Sequence, residues 1–164
     1  MISQNRLKNI LKGGLVYPAG DSLATLLSGR YAVNRMLGVA LIGASIYAFE
    51  VPWIFKRIQA YSEKQTRFKH TDWLRTGLAI SYFNPLWIAR HLFFLRLLSG
   101  QNPWNLPDLL HSGLMSFLFN LPISLAGNYL IQVKLPLKHR FLSSAIFSGI
   151  MALNYALLEV WLHA

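Results

Sequence analysis

The chain has 164 residues, enough for one domain, and is 54% hydrophobic with only 13% charged residues, about half the charged share of an ordinary globular domain. Its net charge of +10 argues little for nucleic acid, because the lysines and arginines stand at the ends of apolar runs, as membrane topology signals do. With no cysteine, thiol catalysis, disulfides and cysteine-based metal sites are excluded.

Five apolar stretches follow one another along the chain. The first, Gly13 to Gly29, is the shortest and is interrupted by Asp21; a secretory signal would have a cleaner apolar centre, so this stretch is expected to stay in the mature protein. Met36 to Phe55, Thr76 to Leu98, Leu109 to Ile131 and Phe141 to Leu162 are each about 20 residues or longer, the length a helix needs to cross about 30 Å of hydrocarbon. The expectation is an all-α integral membrane bundle, one transmembrane domain over residues 1–164. It has five spans, at about 13–29, 36–55, 76–98, 109–131 and 141–162, or four if the interrupted first stretch does not cross.

The connecting segments support this division. With five crossings, residues 1–12, 56–75 and 132–140 share one side and carry twelve lysines and arginines, whereas the other side has only Arg30 and Arg35. The positive-inside rule then puts the N-terminus on the cytoplasmic or matrix side. The longest basic segment, "QAYSEKQTRFKHTDW", finds a sufficient partner in the anionic headgroups of the lipid bilayer.

Charges inside the spans need partners, since each costs at least ~2.5 to 3.5 kcal/mol at the bilayer centre. The intramembrane acids are Asp21, Glu50 and Glu159, and the bases of the third span are Arg90 and Arg96. Depth along the helices, at about 1.5 Å per residue, suggests two ion pairs: Asp21 with Arg90 near mid-membrane, and Arg96 with Glu159 at the outer ends. Glu50 lies nearer the inner side.

Helical periodicity gives each span a small or polar stripe. Gly13, Tyr17, Asp21 and Ser28 share one face of the first, and Gly43, Tyr47 and Glu50 one face of the second. Gly77, Ser81, Asn84 and His91 line up on the third, and Gly113, Ser116, Asn120, Ser124 and Gly127 on the fourth. Ser144, Ser148, Tyr155 and Glu159 do so on the fifth. Small residues let membrane helices approach closely, while ionisable groups in such a stripe point to a wet pathway. The pathway expected here is lined by Asp21, Glu50, Asn84, Arg90, His91 and Asn120, with His91 a pH-sensitive group or a histidine bonded to a neighbouring carbonyl. Pro52, Pro85 and Pro122 free backbone carbonyls within or near the ends of three spans and mark kinks or hinges.

Soluble enzyme chemistry finds no support. His70, His91, His111, His139 and His163 are scattered without metal-ligand spacing, and neither a phosphate-cradling loop nor a nucleophile elbow is present. The expectation is a non-enzymatic protein with no cofactor, no metal and no nucleic-acid partner, compatible with a homo-oligomer.

Trp104, "NLP" ending at Pro122, "GNY" with Asn128 and Tyr129, then Pro136, Arg140, and Asn154 with Leu157 resemble the Mpv17/PMP22 family of small organellar membrane proteins. Gly20 and Asp21 match that family's G-D. Leu121, Tyr129 and Leu153 stand where the family has Trp, Phe and Trp. The resemblance implies a channel or metabolite pathway in the inner mitochondrial or peroxisomal membrane, with Asn128 and Arg140 locking the fourth and fifth spans. "LLSG" ending at Gly29, "VPWIFKR" around Pro52, "FNPLWIA" around Pro85 and "GNY" around Gly127 are also similar to small bacterial L-alanine exporters, which would place the chain in a bacterial inner membrane. Both resemblances imply passage of a small hydrophilic solute such as a metabolite, amino acid or ion. The competing expectation is a membrane scaffold or assembly subunit whose intramembrane charges pair with another protein.

Overall fold

The computed structural model describes residues 4–65 and 70–162, and for 154–162 the backbone alone. Among these residues the chain is all helical, with no strands. Six helices follow in order: α1 (Gln4–Leu27), α2 (Val33–Lys64), α3 (Thr71–Tyr82), α4 (Pro85–Leu98), α5 (Leu106–Lys134) and α6 (Leu137–Leu162).

Two of the turns share one mechanism. Gly29 and Gly100 have φ of 66° and 69°, the left-handed conformation that glycine adopts without a Cβ penalty. Behind them, Arg30 N donates to Thr25 O at 2.8 Å and Gln101 N to Arg96 O at 2.9 Å, capping the ends of α1 and α4. Asn105 starts α5 by accepting from Asp108 N, with a proline in the first turn, a position where its missing N–H costs nothing.

α2 and α5 are long and apolar enough to cross a membrane. Only 28% and 17% of their apolar windows are buried, whereas the core helix of a soluble protein would be mostly buried. Leu41, Trp53, Leu118, Phe119 and Leu130 stand exposed along them, as lipid-facing side chains do. Each helix also contains one wide turn. In α2, Ala48 N reaches back five residues to Gly43 O; in α5, the turn over Leu130–Lys134 buries the neighbouring side chains Ile131 and Gln132.

The chain divides into two compact units, residues 1–53 with 141–164, and residues 54–140. In the first, α1 is held by glycine contacts. A Cβ on Gly13 would overlap the Gly43 carbonyl of α2, and one on Gly20 would lie 2.5 Å from Gly149 Cα of α6, so the backbones touch at both places. Tyr17, one turn from Gly13, packs against Tyr47 with ring centroids 5.0 Å apart and against Phe141 at 6.5 Å. The small stripe of the first span is thus a packing face.

In the second unit α4 lies against α5, where a Cβ on Gly113 would come within 2.6 Å of Pro85 O. Trp73 of α3 packs on Tyr129 of α5 at 5.1 Å, and Phe55 of α2 meets Phe83 at 6.1 Å. Gly77 differs from Gly13, Gly43 and Gly113: it is exposed, with nothing within 4 Å of the place a Cβ would take.

The third apolar stretch departs from expectation. A continuous helix over 76–98 is replaced by α3 and α4, separated by Phe83 and Asn84. Pro85 cannot donate to Ser81 O four residues back, and its ring clashes there with a helical path. By contrast, Pro18, Pro52 and Pro122 sit inside continuous helices.

Candidate functional site

The break between α3 and α4 is organised by one side chain. Asn84 Nδ2 donates to Ser81 O at 3.0 Å, the carbonyl that Pro85 cannot serve, while its Oδ1 accepts from Trp87 N at 3.0 Å. Asn84 therefore satisfies the last turn of α3 and caps the first of α4. One turn further on, Trp87 brings together the two ionisable groups expected in the pathway. The His91 ring stacks on it at 5.8 Å and 13°, and the Arg90 guanidinium lies 5.9 Å from its centroid. At the latter distance an arginine over an indole face gains from the ring quadrupole. Arg90 and His91 are both half-buried.

Asn120, on α5, is buried and donates through Nδ2 to Ser116 O of its own helix at 2.9 Å. Asn128 repeats the arrangement with Ser124 O at 2.9 Å. The six expected pathway residues are divided between the units: Asp21 and the half-buried Glu50 belong to the first, and Asn84, Arg90, His91 and Asn120 to the second.

Asp21 takes a different partner from the one expected. Its carboxylate is gripped by both arms of Arg35, with Nε 2.8 Å from Oδ2 and Nη2 2.6 Å from Oδ1. The side chains are only 11% and 21% exposed. Within its own unit, Asp21 is therefore paired with Arg35. Arg35 stands fourteen residues away across a tight turn, so closing the contact costs little chain entropy. In the charge pattern of the sequence, Arg35 reads only as a loop charge.

Arg96 is bound through Nη2 to Asp108 Oδ2. Asp108 lies in the first turn of α5, just across the turn that ends α4. The expected partner, Glu159, lies outside the described side chains, as does Asn154. Of the other motif residues, Trp104 is 73% exposed and packs edge-on against Phe93 at 5.4 Å. Pro122 and Pro136 are exposed, and Gly20 makes the α1–α6 contact described above.

A polar cluster that the sequence did not announce occupies the basic end of the second unit. Arg75 Nε donates to the buried Ser62 Oγ at 2.9 Å, and its Nη2 is 3.7 Å from Glu63 Oε1. Arg140, only 3% exposed, donates to Leu135 O at 3.0 Å and to Gln132 Oε1 at 3.3 Å, joining the start of α6 to the end of α5. Burial, and then the neighbouring Arg75 charge, lower the pKa of Arg140, with Glu63 opposing them; a guanidinium nevertheless stays cationic at neutral pH. The cluster draws its members from 56–75 and 132–140, two of the basic segments between the apolar stretches. Basic residues just outside two different spans were the only sequence signal for it.

Compared with known proteins, the chain matches no family model, no curated protein and no solved structure.

Proposed function

We propose that the chain is an integral membrane protein that lets a small hydrophilic solute, such as an amino acid, metabolite or ion, cross the bilayer, as a channel or transporter and without enzymatic chemistry. The observation that carries this reading is the break at Phe83–Asn84 within the third apolar stretch. Non-helical backbone at membrane depth is tolerated only where protein or a water-filled cavity surrounds it, and discontinuous helices recur at transporter binding sites. Arg90 and His91, gathered around Trp87 one to two turns from the break, supply groups that can meet a solute there.

Five crossings, with the basic segments inside, remain the topology that best explains the charge distribution. The exposed apolar faces of α2 and α5 support a bilayer setting. The resemblances to the Mpv17/PMP22 family and to the L-alanine exporters point the same way, towards an organellar membrane in the one case and a bacterial inner membrane in the other. The scaffold alternative loses ground because Asp21 is buried and paired within its own unit, and so is not displayed for another protein's spans.

The test is solute flux into liposomes holding the purified protein, with amino acids, small carboxylates and monovalent ions as probes. Wild type should pass at least one of them, and Arg90→Met should change that flux while insertion and folding persist. Folded protein that passes none of these solutes would refute the proposal.

A further inference from the structure

The polar cluster at the basic end of the second unit leaves a buried amide donor without an acceptor among the described residues. Gln132 is fully buried, and its Nε2 has no hydrogen-bond acceptor among the described residues. Turning the amide over offers no relief, because it would set an N–H donor against Arg140 Nη1, which now donates to Oε1. Among the described residues no carboxylate lies within salt-bridge distance of Arg140. Among the same residues Arg75 has only Glu63, at 3.7 Å, with a side chain 54% exposed. α3, which carries Arg75, packs against the wide turn of α5 that carries Gln132, so the Arg75 and Arg140 charges oppose one another, while Glu63 Oε1 also accepts from Gln59 Nε2 at 2.7 Å. An uncompensated buried charge is among the costliest things a protein can hold, and so is an orphaned amide donor.

We infer that Arg75, Gln132 and Arg140, with Ser62 positioning Arg75, form a binding site for a small oxyanion, a phosphate or carboxylate group. Such a group supplies what the cluster lacks: negative charge for the arginine pair and lone pairs for Gln132 Nε2. Planar guanidiniums are the side chains best shaped to grip it. The source is either a free anion or the phosphate of a lipid headgroup at the basic face. The inference stands without the transport reading, since binding at this end requires no passage across the bilayer.

The experiment compares thermal unfolding of the full chain in neutral detergent with added sodium phosphate and with sodium chloride at equal ionic strength. It then compares unfolding in phosphatidylcholine nanodiscs with and without phosphatidylglycerol. Wild type should gain about 5 to 10 °C in Tm once phosphate exceeds its dissociation constant about a hundredfold. Gln132→Leu, which removes the orphaned donor at similar volume, should fold and lose the response. Gln132→Glu, which brings its own carboxylate to the arginines, should melt higher than wild type without phosphate and no longer respond to it. A Gln132-dependent gain with phosphatidylglycerol alone would assign the site to a lipid headgroup, and one with inorganic phosphate would assign it to a free anion. Equal shifts in wild type and Gln132→Leu under both comparisons, or no shift in either, would overturn the inference.

Discussion

Asp21 and Arg35 hold each other in a two-pronged ion pair across the turn between α1 and α2, with nitrogen–oxygen distances of 2.8 and 2.6 Å. The pair is largely shielded from water, so removing one partner strands the other. Asp21→Asn or Arg35→Met should each cost roughly 3 kcal/mol, the lower end for broken buried pairs. A double-mutant cycle by reversible unfolding in detergent should show strong coupling between them. Asp21→Asn should couple less strongly to Arg90→Met than to Arg35→Met. Coupling of Asp21 to Arg90 as strong as that to Arg35 would reinstate the partner expected from depth alone.

The glycines should respond in opposite directions. Gly20→Val pushes a side chain into the Gly149 backbone, an overpacking that should destabilise by about 1 to 3 kcal/mol. Gly77→Ala meets open space on an exposed helical face and should stabilise by up to about 1 kcal/mol through helix propensity alone. Melting temperatures of the two variants read the contrast directly.

Asn84 and Pro85 act as a couple. Asn84→Ala removes both the Ser81 carbonyl's donor and the α4 cap, which should cost about 1 to 2 kcal/mol. In a Pro85→Ala background a backbone N–H becomes free to serve Ser81 O, so the same substitution should cost less. Equal costs in the two backgrounds would mean that the side chain does not replace the missing backbone donor.

Asp108 should prove far less sensitive than Asp21. Its side chain is 46% exposed, and water screens its attraction to Arg96, so Asp108→Asn should cost no more than about 1 kcal/mol. Part of that is the lost carboxylate at the N-terminal end of α5. Unfolding with and without added salt separates the contributions, since salt weakens the ion pair as far as it is exposed.

The parts of the fold that were legible in the sequence are those that composition and period encode. Apolar length located the helices around 36–55, 109–131 and 141–162, and the spacing of Gly13, Tyr17 and Asp21 picked out a face that is in fact buried. Depth along an ideal helix did not announce Arg35 as the partner of Asp21 or Asp108 as a partner of Arg96, because it ignores what a tight turn brings near. Arg35 and Asp108 lie at helix ends, where a charge counts equally well as a loop signal or a partner. Pro85 announced a disturbance, yet nothing in its own residue type separates it from Pro52 and Pro122, which leave their helices continuous; the helix stops where Asn84 can cap both sides. The cluster around Arg140 and Gln132 depends on contacts between distant segments and on the wide turn near the end of α5, neither of which leaves a periodic trace.

The transport reading rests on the chain crossing a bilayer five times, and the absence of cysteine makes that directly measurable. Single cysteines would replace Lys8, Lys64 and Lys138 in one set and Tyr31 and Gln101 in the other, all exposed positions. An impermeant maleimide would then be applied to oriented membrane vesicles. The account predicts labelling of the first set from the cytoplasmic or matrix face only and of the second from the opposite face only. Labelling of Lys64→Cys and Gln101→Cys from the same face would show that the broken third stretch does not cross, and would contradict the pathway placed at its break.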